Sequence, residues 1–567
     1  MNRFLACFCC AVLMAATGCG SDNGSSGTGN QDLNKEEPVV TITSTKSPTG
    51  KAGASVVSGH ILSVSGTDPN GTPYSFPNFI IKGGGLQGIY QSPNGLMQFD
   101  YPYMTLLAAK SGANCIRAYG AKFVADSGDW SGETVDNQVK DVDAAFSWAR
   151  NATKAGNTMY VAVGITMANS KSLDYSDASD GSPLLKQRAL VCSFIDKVIA
   201  LSNDRQLLWI IGNELVATED HVSVYKEIDT IAAYIKSRGS KLPCMTAVQT
   251  VSVPELALIA ENCPNLDILG VNDYYGSFGS IKGGGYLNTL QNDMATSMRS
   301  DKGWKKPYIV SEFGSYDLAG LNMPAVKLPP PAFVEAAIYG LEANSSLVAQ
   351  DYLDNYNTWI KPYAEANQGC VGSFCYVWQN PVFSDHFVYF YEMFLSGPTE
   401  TPSYNPRGTY RLEAAEKMIQ AWGGTATGRK YPRILTPDND PQGITCSFKV
   451  TKDNAGSPPA VRPGASLSAS VTASYDGALQ PGFTWYVVND TADHYNPQKY
   501  QGAKDEIPAN ASQKTEKQAT TYKNTLSFNA PAVAGNYQLR VNVTCDNESD
   551  PSGQGTAATA AILFVVK

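Results

Sequence analysis

The sequence predicts an α/β fold class: a (β/α)8 TIM barrel followed by a C-terminal immunoglobulin-like β-sandwich. Three observations carry that expectation. Eight strand-like apolar runs recur between residues 79 and 378, most of them separated by segments with helical apolar spacing. Polar and charged residues collect where those runs end, which in a barrel is the face that carries chemistry. Near residue 432 the helical spacing stops, and short alternating strands with Gly, Asn and Pro turns take over.

Bulk properties set the frame. At 567 residues the chain exceeds one ordinary core, so more than one domain is expected. A hydrophobic content of 43% with 10% aromatics is that of a globular protein. The net charge of −9, without basic clusters, argues against nucleic acid or an anionic surface as partner. Thirty Tyr and eight Trp fit either core packing or stacking on sugar rings.

Residues 1–18 read as an export leader: Arg3, an apolar stretch over 4–16, then Ala16-Thr17-Gly18-Cys19. The stretch resembles a bacterial lipoprotein signal, which implies lipidation at Cys19 and anchoring to a bacterial membrane, the outer membrane or the cell surface. Residues 19–50 begin with a Gly-, Ser- and Asn-rich tether. The barrel is assigned to 51–431 and the sandwich to 432–567. Outside the leader and Cys19, eight cysteines remain, with no zinc spacing and no Cys-x-x-Cys. Export permits a bridge between Cys446 and Cys545, whereas Cys115 reads as a buried free thiol.

The barrel strands are expected at 79–85, 113–120, 158–166, 207–214, 242–249, 266–275, 307–314 and 371–378. Helical spacing covers 103–111, 139–154, 185–202, 224–237 and 410–422. A doubly wound sheet would show the same alternation. The choice of a barrel rests on Arg117, Glu214, Asn272, Tyr274, Glu312 and Trp378, all at or near carboxyl ends of strands. In the sandwich, 466–473, 483–488 and 537–544 alternate apolar and polar, with Trp485 as a core aromatic.

Gly83-Gly84-Gly85-Leu86-Gln87-Gly88 matches a dinucleotide-binding pattern, but Pro93 and polar residues follow where a helix should start. A loop allowing close approach at the barrel mouth is the better reading. The four His have no ligand spacing and there is no Gly-x-Ser-x-Gly, so neither metal nor elbow-type serine chemistry is expected, and no cofactor. Two glutamates remain, each ending a dry strand: Leu207-Leu208-Trp209-Ile210-Ile211-Gly212-Asn213-Glu214 and Tyr308-Ile309-Val310-Ser311-Glu312. Retaining glycosidases need such a pair about 5–5.5 Å apart, one to protonate the leaving oxygen and one to attack the anomeric carbon.

These two stretches resemble the strand-four and strand-seven motifs of retaining glycoside hydrolases of clan A. The resemblance runs from about residue 59 to 422 and implies that Glu214 is the acid/base and Glu312 the nucleophile. It further implies that Asn213 holds the sugar 2-hydroxyl and that Arg117 supports the nucleophile's charge. Tyr274 would stand near the nucleophile, and Trp378 would floor the sugar site. The strand containing Ala113-Asn114-Cys115-Ile116-Arg117-Ala118-Tyr119-Gly120 is similar to β-1,3-glucan-active members, including glycoside hydrolase family 158 and glucanosyltransferase-type enzymes. The chain departs from several clan families in lacking a barrel histidine at the usual strand ends. The expected function is thus retaining hydrolysis of a β-glucan, with a β-1,3-linked polysaccharide or oligosaccharide as substrate. A β-glucanosyltransferase using the same residues and a non-catalytic glycan-binding surface lipoprotein are the alternatives.

Overall fold

The computed structural model describes residues 54–67, 73–86, 100–119, 134–155, 158–201, 204–216, 218–249, 251–273, 286–314, 344–378, 393–395, 410–436, 443–448, 459–490, 503–508, 514–546 and 554–567. The leader, Cys19 and Tyr274 lie outside them. Three short strands come first, β1 (Ala54–Ser58), β2 (Ile61–Thr67) and β3 (Pro73–Phe76), paired in that order. Eight parallel strands then close on themselves: β4 (Ile81–Leu86), β5 (Cys115–Ala118), β6 (Tyr160–Ile165), β7 (Gln206–Asn213), β8 (Cys244–Val248), β9 (Ile268–Asn272), β10 (Tyr308–Phe313) and β11 (Cys370–Cys375). Each falls within its expected span or within one residue of it. The doubly wound alternative is excluded by the pairing of β11 with β4.

Helices α1 (Tyr101–Lys110), α2 (Val135–Lys154), α3 (Pro183–Ala200), α4 (His221–Ser237), α5 (Val253–Asn262) and α6 (Tyr286–Arg299) alternate with β4 to β10. Between β10 and β11 stand α7 (Ser345–Asn355), a π turn and the short α8 (Lys361–Glu365), and α9 (Glu413–Trp422) follows β11. The helix starts follow from sequence: Asp100, Thr134, Ser182 and Ser252 each accept a hydrogen bond from a first-turn N–H, with Pro in the first turn of α1, α3 and α5. No described helix is long and apolar enough to cross a membrane.

The strand pleat separates two cores. Val161, Val163, Trp209, Ile211, Leu269, Val271 and Val310 face the helices. Tyr160, Ala162, Leu208, Ile210, Ile268 and Ile309, alternating with them, fill the barrel interior. At the amino-terminal end of that interior, β2 contributes Leu62 and Val64. The barrel is therefore plugged from below, and its upper inward layer is free to be polar.

The Gly83-Gly84-Gly85 run lies within β4 rather than in a loop. Close approach is nevertheless its purpose. A Cβ on Gly83 would stand 2.1 Å from Phe374 Cδ1, and one on Gly84 would stand 2.6 Å from Trp378 Cβ.

The C-terminal domain stacks two sheets over one apolar core that includes Trp485, whose indole N–H donates to Asn524 Oδ1 at 2.7 Å. One sheet takes β14 (Arg433–Ile434), β15 (Ile444–Cys446), β17 (Ser466–Ser474), β20 (Lys514–Gln518) and β21 (Thr521–Asn529). The other takes β16 (Ala460–Val461), β18 (Gly482–Asp490), β19 (Ala503–Pro508), β22 (Gly535–Cys545) and β23 (Gly555–Val566). That second sheet also recruits β12 (Phe394–Leu395) and β13 (Tyr410–Leu412) from the chain around α9. The apolar spacing predicts a helix from 410, but pairing with β23 turns its first residues into a strand. Cys446, Cys545 and Cys115 are free thiols.

A buried polar knot joins the two bodies. Arg411 Nε donates to Gln554 Oε1 at 2.6 Å and Arg411 Nη2 to the Tyr103 hydroxyl at 3.2 Å, tying β13 to α1 and the start of β23. Arg429 Nη1 donates to the Gln554 carbonyl at 2.8 Å. Removing one partner leaves the others desolvated and unpaired. Arg411→Ala is accordingly expected to lower stability by about 1–3 kcal/mol, seen as a lower urea midpoint at unchanged slope; an unchanged midpoint would contradict the bracing role.

Candidate active site

The site is the topmost inward layer of the barrel. On β5 the inward series runs Cys115, Arg117 and then Tyr119; on β9 it ends at Asn272; on β10 it runs Ile309, Ser311. Alternation alone would turn Glu312 outward. The register of β10 against β9 shifts between Val310 and Glu312, so that both Ser311 and Glu312 reach inward. Strand β7 makes the corresponding move, with a register shift against β8 between Ile210 and Asn213. Gly212 takes φ 71° there, as glycine readily does. Glu214 itself sits at φ 52°, a conformation that costs a non-glycine residue about 1–3 kcal/mol and is held by surrounding contacts. One of those is its own N–H, which donates to Ala247 O at 2.8 Å.

Arg117 is the hub. Its Nη1 contacts Glu312 Oε1 at 3.0 Å and the Ser311 carbonyl at 2.6 Å, while Nη2 donates to Asn213 Oδ1 at 2.6 Å. The guanidinium is buried, with its carbon 4.2 Å from the Tyr119 ring centroid. Asn272 links the two halves of the site. Its Nδ2 donates to Glu214 Oε1 at 2.8 Å and to Asn213 Oδ1 at 3.1 Å, while its Oδ1 accepts from Ser311 Oγ at 2.8 Å. The amide orientation of Asn272 is thereby fixed, since both donors and the carbonyl are used. The described bonds of Asn213 both go to its carbonyl oxygen.

The two carboxyls occupy different environments. Glu312 is buried against a cation. Glu214 is partly exposed but crowded. Burial first, and the neighbouring Glu312 carboxylate second, push its carboxyl up to about 7, against the hydrogen bonds from Asn272 and Gln249. Burial likewise holds the Tyr119 phenol well above its ordinary value. Arg117 opposes that shift and the adjacent Glu312 carboxylate reinforces it.

No family model matches the chain, and no curated protein matches it. Solved structures do resemble it. A β-glucuronidase from Ruminococcus gnavus matches at 13% identity and TM-score 0.37, covering 65% of this chain and 53% of its own. A β-mannanase from the blue mussel Mytilus edulis matches at 12% and 0.33, covering 58% and 92%. An α-L-arabinofuranosidase from Thermotoga maritima matches at 10% and 0.35, covering 79% and 96%. The chain spans little more than half the length of the glucuronidases it matches, 54% for that of Dictyoglomus thermophilum.

Of the residues expected from sequence, the structure brings Arg117, Asn213, Glu214 and Glu312 into one hydrogen-bonded cluster. Trp378 is set apart from it. Its side chain is fully buried, packs on Trp422 and Phe394, and donates its indole N–H to Met104 O at 3.1 Å. The slot left by Gly84 draws it into the wall between β4 and α1, so it does not floor the mouth. The aromatic standing at that strand end is Tyr376, part-exposed, with its ring edge-on to Tyr119 at 5.9 Å.

Gln249, Ser311, Tyr119 and Tyr376 were missed. Tyr119 had a signal, since it lies two residues past Arg117 and shares its face. Gln249 had none, because its contact with Glu214 depends on how the ends of β7 and β8 are brought together in the barrel. Gln249 Nε2 donates to Glu214 Oε2 at 3.1 Å, a bond that favours the charged form. Gln249→Leu is expected to move the alkaline limb of a Glu214-dependent pH profile upward from about 7. A limb that stays or moves down would show that Gln249 does not act on this carboxyl.

Proposed function

We propose that the chain is a retaining β-glycosidase acting on a β-glucan, with β-1,3-linked glucan as the first substrate to test. The observation that carries this reading is the division of roles between two coupled carboxyls. One is raised to about 7 and able to hold a proton; the other is paired with a buried guanidinium.

Glu312 attacks the anomeric carbon as the bond to the leaving oxygen breaks, and Glu214 gives that oxygen its proton. The product is a glycosyl ester on Glu312 and a carboxylate on Glu214. Esterification removes the Glu312 charge, which is one of the two causes that raise the Glu214 carboxyl. Its affinity for a proton therefore falls in the intermediate, but water attack on the ester restores the pair: Glu214 takes the water's proton as Glu312 leaves. Asn213, with its oxygen held by Arg117 and Asn272, presents N–H to the sugar 2-hydroxyl. Activity should fall as pH rises through about 7, because the acid must be protonated.

The test is a panel of purified β-glucans followed by NMR of the first-formed anomer, with a slow 2-fluoro glucoside to trap the ester. Retention of configuration and a label on the peptide carrying Glu312 support the reading; an inverted product or a label elsewhere refutes it. We also propose export and lipid anchoring through Cys19. Metabolic labelling with a fatty acid should be lost in Cys19→Ala, and persistent labelling would remove the anchor from the proposal.

A further inference from the structure

The carboxyl face carries a concavity that the reaction above does not use. It lies between the segment after β6 and the segment after β7, has a volume of about 270 Å3, and includes Ser170, Lys171, Asp174, Tyr175, Thr218 and Asp220 in its lining. The two walls are fastened together. Ser170 N donates to the carbonyl of Leu215, the residue next to Glu214, at 2.8 Å, and Thr218 Oγ1 donates to Ser170 Oγ at 3.0 Å. Tyr175 and the neighbouring Leu173 are buried beneath it, and Lys171, Asp174, Thr218 and Asp220 are exposed around it.

Position in the barrel gives this cleft a meaning. In the closed strand order β6 stands four strands from β10 in either direction, diametrically across the mouth. Seen from Glu312, the cleft is therefore on the far side of Glu214. A glycosidic bond set between the two carboxyls places its anomeric carbon toward Glu312 and its leaving oxygen toward Glu214. Whatever continues past Glu214 is the leaving part of the substrate. Hydroxyls of both hydrogen-bonding senses, one ammonium and two carboxylates suit a neutral polyhydroxylated ring, and the two carboxylates disfavour an acidic sugar.

We propose that this cleft is a binding subsite for neutral sugar units on the leaving-group side of the cleaved bond. It rests on the assignment of Glu214 as proton donor. Filling it should cost only substrates long enough to enter it. Thr218→Trp is expected to lower kcat/KM on longer β-linked gluco-oligosaccharides by about ten-fold, and to leave an aryl β-glucoside, whose leaving group ends at the aryl ring, within about two-fold. Lys171→Ala, an exposed truncation that fills nothing, should give a smaller loss on the same oligosaccharides alone. If the wild type cleaves both substrates and neither variant changes their ratio, the cleft is not a subsite and the assignment of Glu214 stands. If the wild type cleaves neither, the assignment and the subsite fall together.

Discussion

Glu312→Ala is expected to lose kcat on a β-glucan by at least about four orders of magnitude, which is about 5–6 kcal/mol of barrier. The loss should be this large because in the proposed mechanism the side chain forms the covalent intermediate; no other carboxyl shares the Arg117 contact among the described residues. The alanine also opens space beside a retained guanidinium, so added azide should enter it and restore turnover as an α-glycosyl azide. Folding is not expected to fail, since Arg117 keeps its bonds to the Ser311 carbonyl and Asn213. Wild-type turnover in this variant, measured on every glucan the parent cleaves, would end the assignment. Glycan binding unchanged in a protein lacking both Glu312 and Glu214, with no product from the parent, would instead establish a glycan-binding protein.

The second large effect is on Arg117→Met. The substitution keeps the bulk and removes a charge whose partners are buried with it. Breaking a buried pair from one side leaves an uncompensated carboxylate, which typically costs about 3–5 kcal/mol. Here the Ser311 carbonyl loses its Arg117 donor as well, and Asn213 Oδ1 loses one of its two. A lower melting temperature is expected together with loss of activity. Arg117→Lys separates the two causes, because it retains charge but lacks the fork that reaches Glu312 and Asn213 at once. It should recover stability more than activity. In the Arg117→Met, Glu312→Gln double variant the penalties should be less than additive, since the carboxylate left unpaired by the first change is removed by the second. Full additivity, measured by denaturation, would mean that the pair does not couple.

Glu214 carries a stability cost of its own. Its folded carboxyl is raised to about 7, so the native state binds a proton that the unfolded chain releases from its ordinary value near 4.5 upward. Stability is therefore lost as pH climbs through that window, and the full cost is present above it. The strain at φ 52° adds to this. A residue that is both strained and costly when charged is the pattern expected where chemistry is built.

Much of this was written locally. The strand that ends at Glu214 is legible because a dry five-residue apolar run has one home in an α/β protein, and seven other runs share its rhythm. Caps at Asp100, Thr134, Ser182 and Ser252 are equally local, since each side chain bonds to its own first turn. Barrel closure, the two register shifts and the fate of Trp378 were not. Period-two alternation assigns each side chain to one face, and it would have turned Asn213 and Glu312 away from the mouth; long-range pairing with β8 and β9 overrides it at those positions. Trp378 followed the space offered by Gly84, a neighbour nearly three hundred residues earlier in the chain. The sequence by itself determined which residue types stand at strand ends. Only the tertiary structure decided which of them face one another, because facing is set by register and packing between segments that are remote along the chain.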